Sequence, residues 1–224
     1  MKSTITKMPE ILSPAGNLEK LKFAATYGAN AVYCALDKFG MRASADNFTL
    51  DELDEGIDFA HKRGVKVYLT VNTMPHECNM AALPEFLAPL KKITPDAFIV
   101  ADIGVMQTIK KIIPDAVLHL STQTSTVNAE ACNFWHEYGI KRIVLARELS
   151  LDDIRLIRAN VSDTLELEAF VHGSMCVSYS GRCLLSNYYT NRNSNDGKCA
   201  QPCRWKYFIN EEKRQNDVLS AEQD

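Results

Sequence analysis

The chain has 224 residues, 46% of them hydrophobic, and a formal net charge of −3. This length can bury one sizeable core and excludes a disulfide-stapled miniprotein, while the slight acidity argues against a generally basic nucleic-acid binder and leaves room for a local positive patch. The opening MKSTITKMPEIL lacks the apolar centre of a signal peptide, and no later run reaches membrane-spanning length, so a cytoplasmic setting is expected.

From the N-terminus, short apolar runs alternate with longer segments of helical spacing. The runs are EILSPAG (10–16), AVYCAL (31–36), KVYLTVN (66–72), AFIVAD (97–102), VLHLSTQTS (117–125), RIVLARE (142–148) and LELEAFVHG (165–173). Their nearly continuous apolar character is that of parallel strands covered by helices. Thr49 with Glu52 reads as a capping box and Ser150 with Asp153 as a weaker one, and Gly28, Gly64 and Gly139 stop helices before the next strand. Repeated strand–helix units with short connections point to an α/β fold, either doubly wound or a TIM-like (β/α)₈ barrel. Neither GxGxxG nor GxxxxGK follows the first strand. Polar residues gather where the strands end, at Asn72, Asp102, Gln123, Arg147, Glu148, Glu168 and His172, and barrel enzymes build their sites on that rim. The barrel is therefore preferred, although each of these residues could equally be a loop cap.

Seven strands are evident and an eighth is missing. Beyond Trp205 only KYFIN and the polar stretch EEKRQNDVLSAEQD remain, which suggests a truncated barrel or one completed from elsewhere. The expected division is an incomplete barrel over 1–173, a Cys-rich region over 174–208 and a polar tail over 209–224.

Four of the seven cysteines crowd into HGSMCVSYSGRCLLSNYYTNRNSNDGKCAQPCRW (172–205), as Cys176, Cys183, Cys199 and Cys203. In a reducing compartment such a cluster suits a metal or redox centre better than disulfides. The spacing C-x6-C-x15-C-x3-C leaves both an iron–sulfur cluster and zinc open, because only its second pair has the close spacing of structural zinc sites. Arg182, Arg192, Lys198, Arg204 and Lys206 alternate with Tyr188, Tyr189, Trp205 and Tyr207 in this region. Cations meet phosphates and rings stack on bases in single-stranded nucleic acid, but the same rings could simply pack over the thiols. Cys34 and Cys132 read as small buried hydrophobes and Cys78 has no assigned role. His61, His119 and His136 read as structural or surface groups, whereas His172, beside the thiols, is a candidate for chemistry.

These residues also carry a family likeness. EAFVHGSMCVSYSGRCLLS (168–186) resembles the signature of the collagenase-like peptidase family U32, through Glu168, Phe170, Gly173, Ser174, Met175, Cys176, Gly181, Cys183 and Ser186. The likeness extends through LSPAGNLEKLKFAATYGANAVYCAL, MRASADNFT, VNT, VAD, STQTS and GKCAQPCRWKY, nearly the whole chain. It implies a barrel-like N-terminal domain in a longer protein. Its GKCAQPCRWKY ending resembles the tRNA-modifying branch, which implies oxygen-independent formation of 5-hydroxyuridine with a [4Fe-4S] cluster and prephenate as the hydroxyl source. On that likeness Cys176, Cys183, Cys199 and Cys203 are the cluster ligands, Cys203 the least secure, with zinc as the alternative cofactor. Glu168, His172, Arg147 and Asp102 are then the candidate catalytic residues. Arg42, Asn72, Gln123, Arg182, Arg204 and Tyr188 are candidates for substrate contact, with Arg42 and Arg147 suited to gripping a dicarboxylate. The rival readings are a collagenase-like peptidase and a non-catalytic cluster-bearing subunit that needs a partner protein. Proteolysis has little support in the residues, because HExxH and GxSxG are absent and four thiolates would saturate a zinc ion.

Overall fold

Each of the seven apolar runs contains a strand. The computed structural model describes residues 8–41, 46–173, 175–179, 182–210 and 218–222. In chain order the elements begin β1 (Leu12–Pro14), α1 (Leu18–Thr26), β2 (Ala31–Cys34), α2 (Leu50–His61) and β3 (Lys66–Val71). Two short helices follow, α3 (Glu77–Met80) and α4 (Leu83–Leu87), where Pro84 and Pro89 interrupt the helical ladder. Next come β4 (Ala97–Val100), α5 (Ile103–Ile112), β5 (Leu118–Leu120), α6 (Ala129–Tyr138), β6 (Arg142–Val144), α7 (Leu151–Ala159) and β7 (Glu166–Glu168). The last elements are α8 (Leu185–Thr190), β8 (Lys206–Asn210) and β9 (Val218–Glu222).

Strands β1 to β7 pair in sequence order, every pair parallel, with helices between them, so the sheet is a seven-stranded part of a barrel. Both expected capping boxes are present, Thr49 with Glu52 and Ser150 with Asp153. Gly28, Gly64 and Gly139 all have positive φ, the conformation that ends a helix at little cost only in glycine. No helix among the described residues is long and apolar enough to cross a membrane.

Strand alternation divides the buried residues into two layers. Val32, Cys34, Val67, Leu69, Val71, Phe98, Val100, Leu118 and Leu120 face outward and form one core with Leu21, Leu53, Leu83, Leu87, Met106 and Ile109 from the helices. Leu53 has no exposed surface, and truncating a leucine so placed costs roughly 2–5 kcal/mol. The thiols of Cys34 and Cys132 lie in this layer, where burial raises their pKa values, so both act as the small hydrophobes expected.

The inner layer is small, with Ala31, Tyr68, Ala97 and Ile99 packed against Leu12 and Tyr33. Beside it lies an ion cluster. The Arg142 guanidinium donates to Glu166 at 2.8 Å, to Glu10 at 2.6 Å and to Glu168 at 3.4 Å, and the Tyr68 hydroxyl donates to Glu10 at 2.8 Å. Glu10 precedes β1 and Arg142 begins β6, so these contacts join the two ends of the curled sheet from inside.

The C-terminal stretch differs from its expected form. KYFIN becomes β8, but it pairs antiparallel with β9, from within the expected polar tail, in a sheet of its own. Two short segments with branched or aromatic residues, separated by a polar run, satisfy each other's backbone groups as a hairpin.

Candidate functional site at the carboxyl rim

The loops that leave the carboxyl ends of the strands are tied to one another. Asn72, after β3, accepts the backbone N–H of Met41 at 3.2 Å and so links the β2 and β3 loops. Asp102 accepts the N–H of Val105 at 3.0 Å and thereby caps α5, the plain structural role. After β5 the chain makes a tight turn over Thr122–Thr124, and Ser125 is left-handed at φ 56°. The Thr122 hydroxyl donates to the carbonyl of Leu145 at 3.2 Å and the N–H of Ala146 to the carbonyl of Thr126 at 3.1 Å, which holds the β5 loop against the β6 loop that carries Arg147.

The Cys-rich segment docks across this rim at two points. Arg182 Nε donates to the carbonyl of Gln123 at 3.1 Å, and the N–H of Met74 donates to the carbonyl of Asn195 at 3.1 Å. Inside the segment, fully buried Ser186 accepts the N–H of Ala200 at 3.0 Å, and the hydroxyl of Ser194 donates to the carbonyl of Cys183. These bonds bring the chain around Cys183 to the chain around Cys199. Tyr189 packs against Trp205 and Tyr207, with ring centroids 6.0 and 6.1 Å away, and the Tyr207 hydroxyl donates to the Pro202 carbonyl at 2.7 Å, beside Cys203.

The thiols of Cys176, Cys199 and Cys203 are exposed and that of Cys183 is half-buried. Cys183 Sγ accepts the N–H of Leu185 and Cys199 Sγ that of Gln201, both at 3.3 Å. Amide N–H groups aimed at sulfur are contacts of the kind that also surround sulfur ligands in metal centres. In donor chemistry and local anchoring the set fits a four-thiolate centre. Among the described residues no three His, Cys, Asp or Glu side chains stand together as a metal-holding group. Thiols have no mutual attraction that would gather them, and such sites generally form in the binding event itself.

The four candidate catalytic residues do not make one constellation. Glu168 turns into the barrel toward Arg142, and burial pushes its carboxyl pKa up against the opposing arginine charge. His172 is exposed, as are its neighbours Phe170 and Val171. Asp102 is occupied as a cap, which leaves Arg147 with its Nε buried and unpartnered. Among the substrate-contact candidates, Tyr188 and Arg204 are exposed, Asn72 and Gln123 line the tied loops, and Arg42 lies outside the described residues.

Of the orphaned polar atoms on this rim, sequence reasoning named the residues Gln123 and Arg147 and missed Ser125 and Asn195. Gln123 Oε1, Ser125 Oγ, Arg147 Nε and Asn195 Oδ1 are all buried without a hydrogen-bond partner among the described residues. An unsatisfied buried polar group costs about 1–3 kcal/mol, so four on one rim mark a place built for something besides packing. The run NRNSNDG, rich in turn formers, is the one sequence sign of Asn195, and nothing in the sequence marks Ser125.

The profile of Peptidase family U32 matches residues 16–224. The chain belongs to this family. As a U32 chain it is 47% identical, over its full length, to tRNA hydroxylation protein P1 of Bacillus subtilis, of which it covers 53%. It is 38% identical over 95% of its length to the 23S rRNA 5-hydroxycytidine C2501 synthase of Escherichia coli, of which it covers 31%. The chain thus spans about half the length, or less, of these curated relatives. Among solved structures, the U32 peptidase Mk0906 superposes with a TM-score of 0.60 at 16% identity, over 75% of this chain and 71% of that one, a likeness of fold.

Proposed function

We propose that this chain supplies the barrel and thiol portion of an enzyme that hydroxylates a pyrimidine in RNA, with tRNA uridine as its substrate and the cytoplasm as its location. The observation that carries this reading is the docking of the four-cysteine segment across the rim, where Arg182 meets Gln123 and Asn195 meets Met74. This brings Arg182, and with it the chain at Cys183, to the β5 loop that carries Gln123. The names of the Bacillus and Escherichia relatives support the same reaction class.

Cys176, Cys183, Cys199 and Cys203 would hold a [4Fe-4S] cluster in preference to zinc. When bound, it would supply electron transfer or polarisation of an oxygen donor. The chain's own residues bind and orient. Arg147 grips a carboxylate of a prephenate-like donor, Arg182 and Arg204 meet RNA phosphates, and Tyr188, 82% exposed, offers a ring face to a neighbouring base. The remaining portion of the full-length protein, or a partner protein, completes the barrel. The peptidase reading gains no support from the geometry, since among the described residues no cysteine thiol is hydrogen-bonded to a histidine.

Mass spectrometry of tRNA nucleosides from a deletion strain tests the proposal. The expected result is loss of 5-hydroxyuridine derivatives, restored by the wild-type gene but not by a Cys183→Ser, Cys199→Ser double variant. Unchanged nucleosides would remove the tRNA assignment. Anaerobically purified protein carrying zinc and no iron would remove the cluster.

A further inference from the structure

We propose that Gln123 and Asn195 are a pair of carboxamides that read the hydrogen-bonding edge of one extruded pyrimidine base. The inference rests on the RNA-base reading above and names the residues that determine its specificity.

The argument starts from what is unsatisfied. Gln123 is only 6% exposed, and its Oε1 has no partner. Its backbone, by contrast, is fixed from both sides. The Gln123 N–H donates to Ser121 Oγ at 3.4 Å and its carbonyl receives Arg182 Nε at 3.1 Å, while the Thr124 hydroxyl bonds the carbonyl of Ser121 at 2.9 Å. The same division holds at Asn195. Its N–H donates to Asn193 Oδ1 at 3.0 Å and its carbonyl accepts from Met74, yet its side-chain Oδ1 is buried without a partner. Each loop therefore fixes the backbone of a carboxamide residue and leaves the side-chain oxygen without a partner. Both are linked to Cys183, since Arg182 precedes it and Ser194, next to Asn195, bonds its carbonyl.

The chemistry of the orphaned set selects the ligand class. Of the four groups only Arg147 is cationic, so the set does not suit a purely anionic ligand. A carboxamide presents an acceptor and a donor side by side in one plane. That pattern complements a uracil edge, whose N3–H donates beside a carbonyl that accepts, and it can rotate to meet other pyrimidines. Enzymes that act on a base extrude it from its stack and hold it by such edge contacts. One carboxamide from the barrel and one from the Cys-rich segment also make the reading surface depend on that segment being docked.

Binding of the full-length protein to short single-stranded RNA tests this, by fluorescence anisotropy. Two oligomers carry either one uridine or one 3-methyluridine, which lacks the N3 proton, in a run of adenosines. Wild-type protein should prefer uridine by on the order of tenfold, the scale of one good edge contact. In Gln123→Met and Asn195→Leu that preference should shrink toward unity while affinity for the all-adenosine oligomer is kept. If Gln123→Met does not fold, Gln123→Leu tests the same contact, since it too removes the acceptor and the donor that meet the uracil edge. A wild-type preference that survives these substitutions overturns the inference and leaves the RNA reading standing. Wild-type protein that binds no RNA, with tRNA nucleosides unchanged in the deletion strain, overturns both.

Discussion

The two ends of the barrel treat buried polar groups in opposite ways. Inside the sheet, Arg142, only 8% exposed at its side chain, meets three carboxylates, and Glu10 is bonded by both Arg142 and Tyr68. At the carboxyl rim, Gln123, Ser125, Arg147 and Asn195 each bury an atom that bonds to nothing among the described residues. Polar groups satisfied within the protein are structural connectors, whereas buried ones without a protein partner are candidates for contact with a ligand or an ordered water. By this measure Glu168, a natural suspect as a carboxylate at a strand end, belongs with the connectors. His119 is the exception inside the barrel, since its Nδ1 is orphaned among Tyr68, Arg142 and Lys66. Near it an open pocket of about 390 Å³ is lined by Lys66, Asp96, His119 and Arg142.

The comparison breaks first at Arg142. Replacing it with methionine leaves Glu10 and Glu168 without their shared cation, and removing one partner of a buried pair costs about 3–5 kcal/mol. Urea denaturation should show a loss of that order, and a loss below about 1 kcal/mol would mean that the cluster does not hold the sheet ends together.

A smaller effect is expected with pH. Burial first, and the Arg142 charge second, lower the His119 pKa from 6.5 to about 3. A lowered folded-state pKa contributes stability above pH 6.5 that is lost as pH falls toward 3. For Glu10, burial works the other way, but bonds from Arg142 and Tyr68 prevail and bring its pKa from 4.5 to about 2, so its contribution is lost below pH 4.5. Stability should therefore fall in two overlapping stages on acidification. In His119→Gln the decline between pH 6.5 and 4.5 should flatten, by on the order of 2 kcal/mol. An unchanged curve would show that His119 is not held neutral.

The smallest effect has the opposite sign. Ser125 is left-handed at φ 56° with its hydroxyl unpartnered, so Ser125→Gly should raise stability by up to about 1 kcal/mol, seen as a higher Tm. A rim substitution that stabilises, beside an interior one that destabilises, would sharpen the contrast. Destabilisation by Ser125→Gly would erase it.

The readable parts of this molecule were those governed by neighbours along the chain. AVYCAL and KVYLTVN announced parallel strands because both faces are apolar, and Thr49 and Ser150 announced helix starts because a cap bonds three residues ahead. The cysteine spacing and the U32 signature pointed to the segment that docks on the rim. Arg142 gave no sign of itself, because its partners Glu10 and Glu168 lie 132 and 26 residues away and meet it only when the sheet curls. Asp102 looked like a rim acid and is a cap, since one residue type serves both purposes at a strand end.

The sequence by itself determined the order of the seven parallel strands, the main helices between them and the family, because periodicity, capping and motif spacing are local properties. Only the tertiary structure decided which polar groups are satisfied and which are left over on the rim. Hydrogen-bond satisfaction depends on what the fold brings within about 3 Å, and that distance bears no relation to separation along the chain.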